Sequence, residues 1–267
     1  MIAGLALLLL AAPSAAATAP IDLPAGRTVE WTYERHPGPV QYRNGDLVIT
    51  VRAIRLGGDN GGLIEPRVTV TKRGRRPLTI RGGPISPVMP HGLTVGQLDR
   101  SGTRYVMWQA YTGGAHCCFR IRLLIPEGID RGVVELGTFD TPMLEEAPSD
   151  IDGDGRADFV IRDNRFLYAF GSYAGSFAPP QIWNVMNGRV LDVSAWPGFR
   201  TLFVDQLRET REPCLAGGEE GGACASYAAS AARLGRFDEV WPQIRRVQPA
   251  QADAIRTFLV RHDYLPR

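Results

Sequence analysis

Asp150-Ile-Asp152-Gly-Asp154-Gly155-Arg-Ala-Asp158, continuing directly into Phe159-Val160-Ile161, is the stretch from which the rest of the chain is read. Carboxylates this close repel one another unless a cation lies among them. Asp at alternating positions, with a Gly that permits a sharp turn, wraps a hard cation in oxygen, and calcium is the expected guest. An EF-hand is excluded on two counts. The twelfth position is Ile161 rather than a bidentate Glu, and the residues after the loop have the pattern of a strand, not of a helix.

The stretch has a degenerate copy upstream. Gln97-Leu-Asp99-Arg-Ser101-Gly102-Thr-Arg-Tyr105-Val106-Met107-Trp108 aligns with Asp150 to Ile161 at a constant offset of 53 residues. Each copy is a polar turn with Gly, then a strand, then an aromatic and Gly-rich segment: Tyr111-Thr-Gly-Gly-Ala115 in one, Phe170-Gly-Ser-Tyr-Ala-Gly175 in the other. A period of this size suggests blade-like or stacked β units. The first copy has Gln97, Ser101 and Tyr105 where the second has Asp150, Asp154 and Asp158, so no metal is expected there. A third strand unit is expected from Arg189 to Val193 and on through Thr201-Leu-Phe-Val204.

The loop resembles the calcium loops of FG-GAP or VCBS repeats, whose pattern D-x-D-x-D-G-x-x-D leads into a strand. The resemblance covers about residues 92–200. It implies that Asp150, Asp152, Asp154 and Asp158 supply side-chain oxygens, that Arg156 supplies a backbone carbonyl, and that Gly155 takes the positive φ of the turn. It also implies a calcium that holds the turn rather than one that catalyses. The length falls short of a seven-bladed propeller with blades of this period.

Composition sets bounds. The chain has 267 residues, 44% hydrophobic and 22% charged, with a net charge of +2. That is ordinary for a folded globular protein and too mild for a nucleic-acid footprint. The first residues, from Met1 to about Ala19, read as an export signal: the apolar run Ile2 to Ala12 is short of a membrane span, and small residues suited to cleavage come after it. No Lys or Arg precedes Arg27. The mature chain is expected to lie in the periplasm or outside the cell, with no membrane span.

The expected fold is mainly β: propeller-like or stacked antiparallel β units with a C-terminal α-helical cap. Residues 1–19 form the signal, 20–91 an N-terminal β region, 92–212 the repeats, and 213–267 a disulfide loop and helices. Asp46 to Arg55 reads as a strand, and Arg67–Thr71 and Pro77–Arg81 as a hairpin around the basic turn Lys72-Arg73-Gly74-Arg75-Arg76. Helices are expected at Ala223 to Leu234, at Phe237 to Ile244 with Pro242 interrupting, and from Pro249 in the first turn to His262. In the last of these Ala252, Ile255 and Leu259 form an apolar stripe.

The second stretch of chemical interest is Tyr111-Thr-Gly113-Gly114-Ala-His116-Cys117-Cys118. It resembles Gly-Gly-Ala-His-Cys-Cys segments of exported bacterial proteins, a resemblance that implies no activity. Three readings stand side by side. Cys117 and Cys118 join in a vicinal disulfide while Cys214 and Cys224 close their own Gly-rich loop; or each of the adjacent pair bridges to Cys214 or Cys224; or His116 and a free thiolate act as base and nucleophile, or as metal ligands. The last is disfavoured, because neighbouring strand residues point to opposite faces. Hydrolase and nucleotide motifs such as G-x-S-x-G, H-E-x-x-H, a Walker loop and G-x-G-x-x-G are missing, and Gly171-Ser-Tyr-Ala-Gly175 has Tyr at the nucleophile position. Glu145 and Glu146 read as a solvated linker, and the five Trp mostly as core. The function read from all this is an exported calcium-binding module for a protein or glycan. The alternative is a secreted hydrolase with its site around His116.

Overall fold

The computed structural model describes residues 19–57, 62–113, 118–127 and 132–266. Residues 1–18 of the expected signal segment, together with Gly114, His116 and Cys117, lie outside the described residues. Among the described residues the chain is mainly β, with three sheets and four α-helices. The first sheet contains β1 (Ile21–Asp22), β3 (Val40–Asn44), β4 (Leu47–Arg55), β5 (Ile64–Lys72) and β6 (Leu78–Arg81), side by side in that order. Its pairs are antiparallel except β1 on β3. The second sheet runs in the order β10 (Val133–Phe139), β9 (Phe119–Leu124), β8 (Arg104–Tyr111), β7 (His91–Gln97), β2 (Thr28–Trp31), all antiparallel. The third consists of β11 (Phe159–Arg162), β12 (Pro180–Met186) and β13 (Arg189–Asp192), also antiparallel.

These sheets and the helices stack as four layers. Leu47, Ile49 and Val51 of β4 and Val68 and Val70 of β5 share a core with Leu93, Val95, Val106 and Trp108 of the second sheet. On that sheet's other face Tyr105, Met107, Ile121 and Leu123 pack against Phe159, Ile161 and Val185 of the third. Both faces of β8 are therefore covered, which is why Tyr105-Val-Met-Trp108 reads as a continuous apolar run without alternation. The outer face of the third sheet, through Ile182, meets the helices α1 (Arg200–Leu215), α2 (Gly222–Arg233), α3 (Phe237–Val247) and α4 (Ala252–Arg261). The Ala-rich α2 is buried almost throughout, since only small side chains let neighbouring helices approach it closely.

Three expectations from the sequence are corrected by this structure. Arg189–Asp192 is a strand, but Thr201–Val204 lies in α1, so the helical layer begins at Arg200 and runs through Cys214. The short run Thr201-Leu-Phe-Val204 has a strand pattern over four residues. Over the whole segment Phe203, Leu207, Thr210 and Cys214 are buried at helical spacing, and that longer period wins. Pro242 does not interrupt its helix. Phe237, Val240 and Ile244 continue one buried stripe past it, and their packing outweighs the lost backbone bond. Pro249 precedes the last helix, which opens at Ala252, although the stripe Ala252, Ile255 and Leu259 is buried. No helix among the described residues is long and apolar enough to cross a membrane.

Candidate metal centre

The loop from Asp150 to Asp158 lies where the second sheet meets the third, immediately before β11. Its winding arises from short Asp side chains capping backbone N–H groups ahead of them. Asp150 accepts from the N–H of Gly153 and of Gly155 at 2.9 Å each, Asp152 from Asp154 at 3.0 Å, and Asp154 from Arg156 at 2.8 Å. Gly153 and Gly155 turn the chain at φ +80° and +91°, a region that costs any residue with a Cβ. At Gly155 a Cβ would also collide with the side chain of Arg100.

Three carboxylates converge. One oxygen each of Asp150, Asp152 and Asp158 lies within 4.8 Å of the others. Asp154, the fourth expected ligand, instead forms an ion pair with Arg156, Nη1 to Oδ2, at 2.5 Å. Asp158 is the anchor of the set, only 2% exposed. It accepts from the Ile151 N–H and from the Asn184 amide, both at 2.7 Å. Burial pushes its carboxyl up from the ordinary carboxylate range, and Asp152 adds to this, while the bonds from Asn184 and Ile151 pull the other way. Asp152 packs on Gly198, where a Cβ would strike it. Asn184 and Gly198 are the residues that the sequence did not reveal. They sit far along the chain, and nothing in their local pattern marks them.

The donor set fits a hard cation. All three converging groups are carboxylates, and no sulfur or imidazole joins them among the described residues.

The degenerate first copy lies against this loop. Ala157 donates its N–H to the carbonyl of Leu98 at 2.9 Å, and Asp99 and Arg156 form a β-bridge. Arg100 Nη2 donates to the carbonyl of Gly153 at 2.7 Å and lies 3.8 Å from Asp150. Asp99 spends its own carboxylate on the N–H and hydroxyl of Ser101, at 2.9 and 2.5 Å. Glu145 and Glu146 are tied to the start of β2 instead, through the Thr28 N–H on the Glu145 carbonyl and a bridge from Arg27 to Glu146.

In the second candidate segment, Tyr111 closes β8 with its ring edge-on to Phe119, and Gly113 has φ +88°. Thr112 donates twice to the carbonyl of Cys118, by its N–H at 2.9 Å and its hydroxyl at 3.0 Å. Cys214 and Cys224 are bonded to each other, tying α1 to α2, and this sets aside the cross-bridged pattern. Cys118 is disulfide-bonded as well.

No family model and no solved structure matches the chain. Over 205 residues it is 33% identical to a probable thylakoid lumen protein of Synechocystis sp., covering 74% of this chain and 60% of that protein. Over 228 residues it is 27% identical to an uncharacterized protein of Sinorhizobium fredii, covering 82% of this chain and 35% of the other. The match thus spans less than two thirds of the length of either curated relative.

Proposed function

We propose that the chain is an exported, calcium-stabilised binding module built from FG-GAP- or VCBS-like units, and that the metal organises a surface instead of taking part in a reaction. The observation that carries this reading is the convergence of Asp150, Asp152 and Asp158 on one point, in a loop pinned to its sister turn by Arg100. In this reading the Arg156 carbonyl completes the protein ligands, and Asp154 leaves Arg156 to join them when calcium is present. Export is supported by the apolar start of the sequence, by the Cys214–Cys224 bond, and by the name of the Synechocystis relative, which places that protein in a lumen. The ligand is a protein or glycan of the envelope or the medium. Trp196, 39% exposed and two residues from the Gly198 that backs Asp152, offers it an aromatic face beside the metal.

Calorimetric titration of the mature chain with calcium tests the metal. Heat of binding is expected in the wild type and none in the double variant Asp150→Ala, Asp152→Ala. No heat in the wild type overturns the proposal. Retention on a panel of immobilised polysaccharides and envelope proteins, with and without calcium, tests the binding role. Calcium-dependent retention that Trp196→Ala abolishes supports it.

A further inference from the structure

The face that the second sheet turns toward the first changes character along its strands. At one end it is apolar, with Val95, Val106 and Leu124 in register across β7, β8 and β9. Further along, Trp31, His91, Ala110 and Arg120 stand opposite one another, and between these two rows Leu93, Trp108, Arg122 and Glu135 do the same. Residues directly opposite in antiparallel strands share a face and lie about 5 Å apart at Cβ.

This end is short of acceptors. Arg122 is 9% exposed, and its Nε and Nη2 are buried without a hydrogen-bond partner among the described residues. No carboxylate of the described residues pairs with it; Glu135 reaches only Arg120, at 3.7 Å. Opposite it in the strand register is Trp108, whose indole N–H is likewise buried and unpaired, as is that of Trp31. His91, 1% exposed, stacks on Trp108 with ring centres 5.0 Å apart, and neither of its nitrogens is paired within the described residues. A buried guanidinium without a counter-charge is among the most costly arrangements in a protein interior. Burial lowers its hold on the proton, with Glu135 opposing and Arg120 assisting that loss. The edge strand beside it carries a β-bulge, with the register shifting between Glu135 and Gly137. Such bulges re-aim side chains at sheet edges and beside sites.

We propose that Arg122 and the indole N–H of Trp108 form a binding site for a carboxylate carried on an aromatic or apolar body. The unpaired edge of the guanidinium, Nε with Nη2, presents two parallel N–H donors, which matches the planar fork of a carboxylate. Because both atoms are enclosed, the ligand enters by displacing the side chains that cover them. His91 and Trp31 form the apolar wall, with further N–H groups to offer. A doubly charged phosphate would give up more hydration among two indoles and an imidazole than a singly charged carboxylate does, so the walls select the latter. This site lies apart from the metal loop and stands independently of the calcium reading.

The test is calorimetric titration and thermal unfolding of the full mature chain with acetate, benzoate, phosphate and sulfate. Benzoate is expected to bind more tightly than acetate and to raise the unfolding temperature. Arg122→Lys, which keeps the charge and loses the fork, is expected to weaken benzoate by about tenfold or more, and Trp108→Phe to weaken it by a smaller factor. The proposal is overturned if none of the four anions binds, which would leave ordered water as the partner of these groups. It is overturned equally if phosphate or sulfate binds as tightly as benzoate, or if Arg122→Lys leaves benzoate binding unchanged. Should Arg122→Lys fail to fold, unchanged benzoate affinity in Trp108→Phe overturns the site.

Discussion

Arg100 and Gly153, 53 residues apart, are joined by a 2.7 Å hydrogen bond from guanidinium to backbone carbonyl. The spacing equals the offset between the two sequence copies, so corresponding turns of the repeat clasp each other. Of the four carboxylates of the second copy the first keeps only the counterpart of Asp152, Asp99, and it supplies the cation of Arg100 beside the others. Arg100→Ala is expected to destabilise the chain by no more than about 1 kcal/mol without calcium, because the arginine is solvent-exposed. With one positive charge removed from beside Asp150, the same variant is expected to bind calcium more tightly. Titration calorimetry at low ionic strength checks the second effect, and urea unfolding the first.

Metal removal gives the second prediction. With free calcium at about 100 times its dissociation constant, unfolding is expected to cost about 2.7 kcal/mol more than in chelator. Thermal or urea unfolding should show that gap in the wild type and lose it in Asp150→Ala. Asn184→Leu is expected to narrow it as well, because the amide fixes Asp158 at 2.7 Å.

Gly155→Ala should be among the more damaging single changes in the loop. It forces a Cβ into φ +91° and against Arg100, and strain of this kind costs about 1–3 kcal/mol. Gly102, at φ +80° in the sister turn with nothing near its missing Cβ, serves as the control that carries the backbone cost alone. Comparing the two Ala variants by urea unfolding isolates the collision.

His91 sets a pH dependence. Burial lowers its proton affinity from the ordinary 6.5 to about 4, so the unfolded chain binds the proton more readily than the folded one. Stability from this group is complete above about pH 6.5 and is lost as pH falls toward 4, by up to about 3 kcal/mol. His262, lowered chiefly by burial and then by Arg165, acts with the same sign. His91→Phe is expected to flatten the unfolding profile between pH 4 and 6.5 and to raise stability at the acid end. Urea midpoints across that range check it.

Reduction of the Cys214–Cys224 bond, whose residues are 10 apart in sequence, is expected to cost about 2–3 kcal/mol through the freedom restored to the unfolded chain. Thermal scans of Cys214→Ala plus Cys224→Ala against the wild type measure it, both without reductant, which would also open the bond at Cys118.

The turn from Asp150 to Asp158 was legible in the sequence because its geometry is written locally. Asp150, Asp152 and Asp154 each cap a backbone group a few residues ahead, and Gly153 and Gly155 supply the two left-handed turns. The strands β4, β5, β8 and β11 were legible for a similar reason, through β-branched and aromatic runs. What stayed hidden was long-range. Asn184 reaches Asp158 from β12, and Gly198 leaves room for Asp152, yet neither belongs to a pattern around itself. Arg156 was expected to offer a carbonyl, and nothing in the spacing shows its side chain taking Asp154. The strand expected at Thr201–Val204 failed because four residues cannot distinguish the two periods, whereas the full length of α1 can.

The serial order of the layers has its own consequence. Among the described residues the first sheet shares a core with the second, the second with the third, and only the third with the helices. Each boundary is a separate apolar seam, so the molecule has the means to open in stages instead of all at once. The helical layer, fastened internally by Cys214–Cys224, can detach as a unit while the two five-stranded sheets keep their shared core. Native-state hydrogen exchange is expected to show this as two groups of amides, those of α1–α4 exchanging first and those of β4, β5, β7 and β8 last.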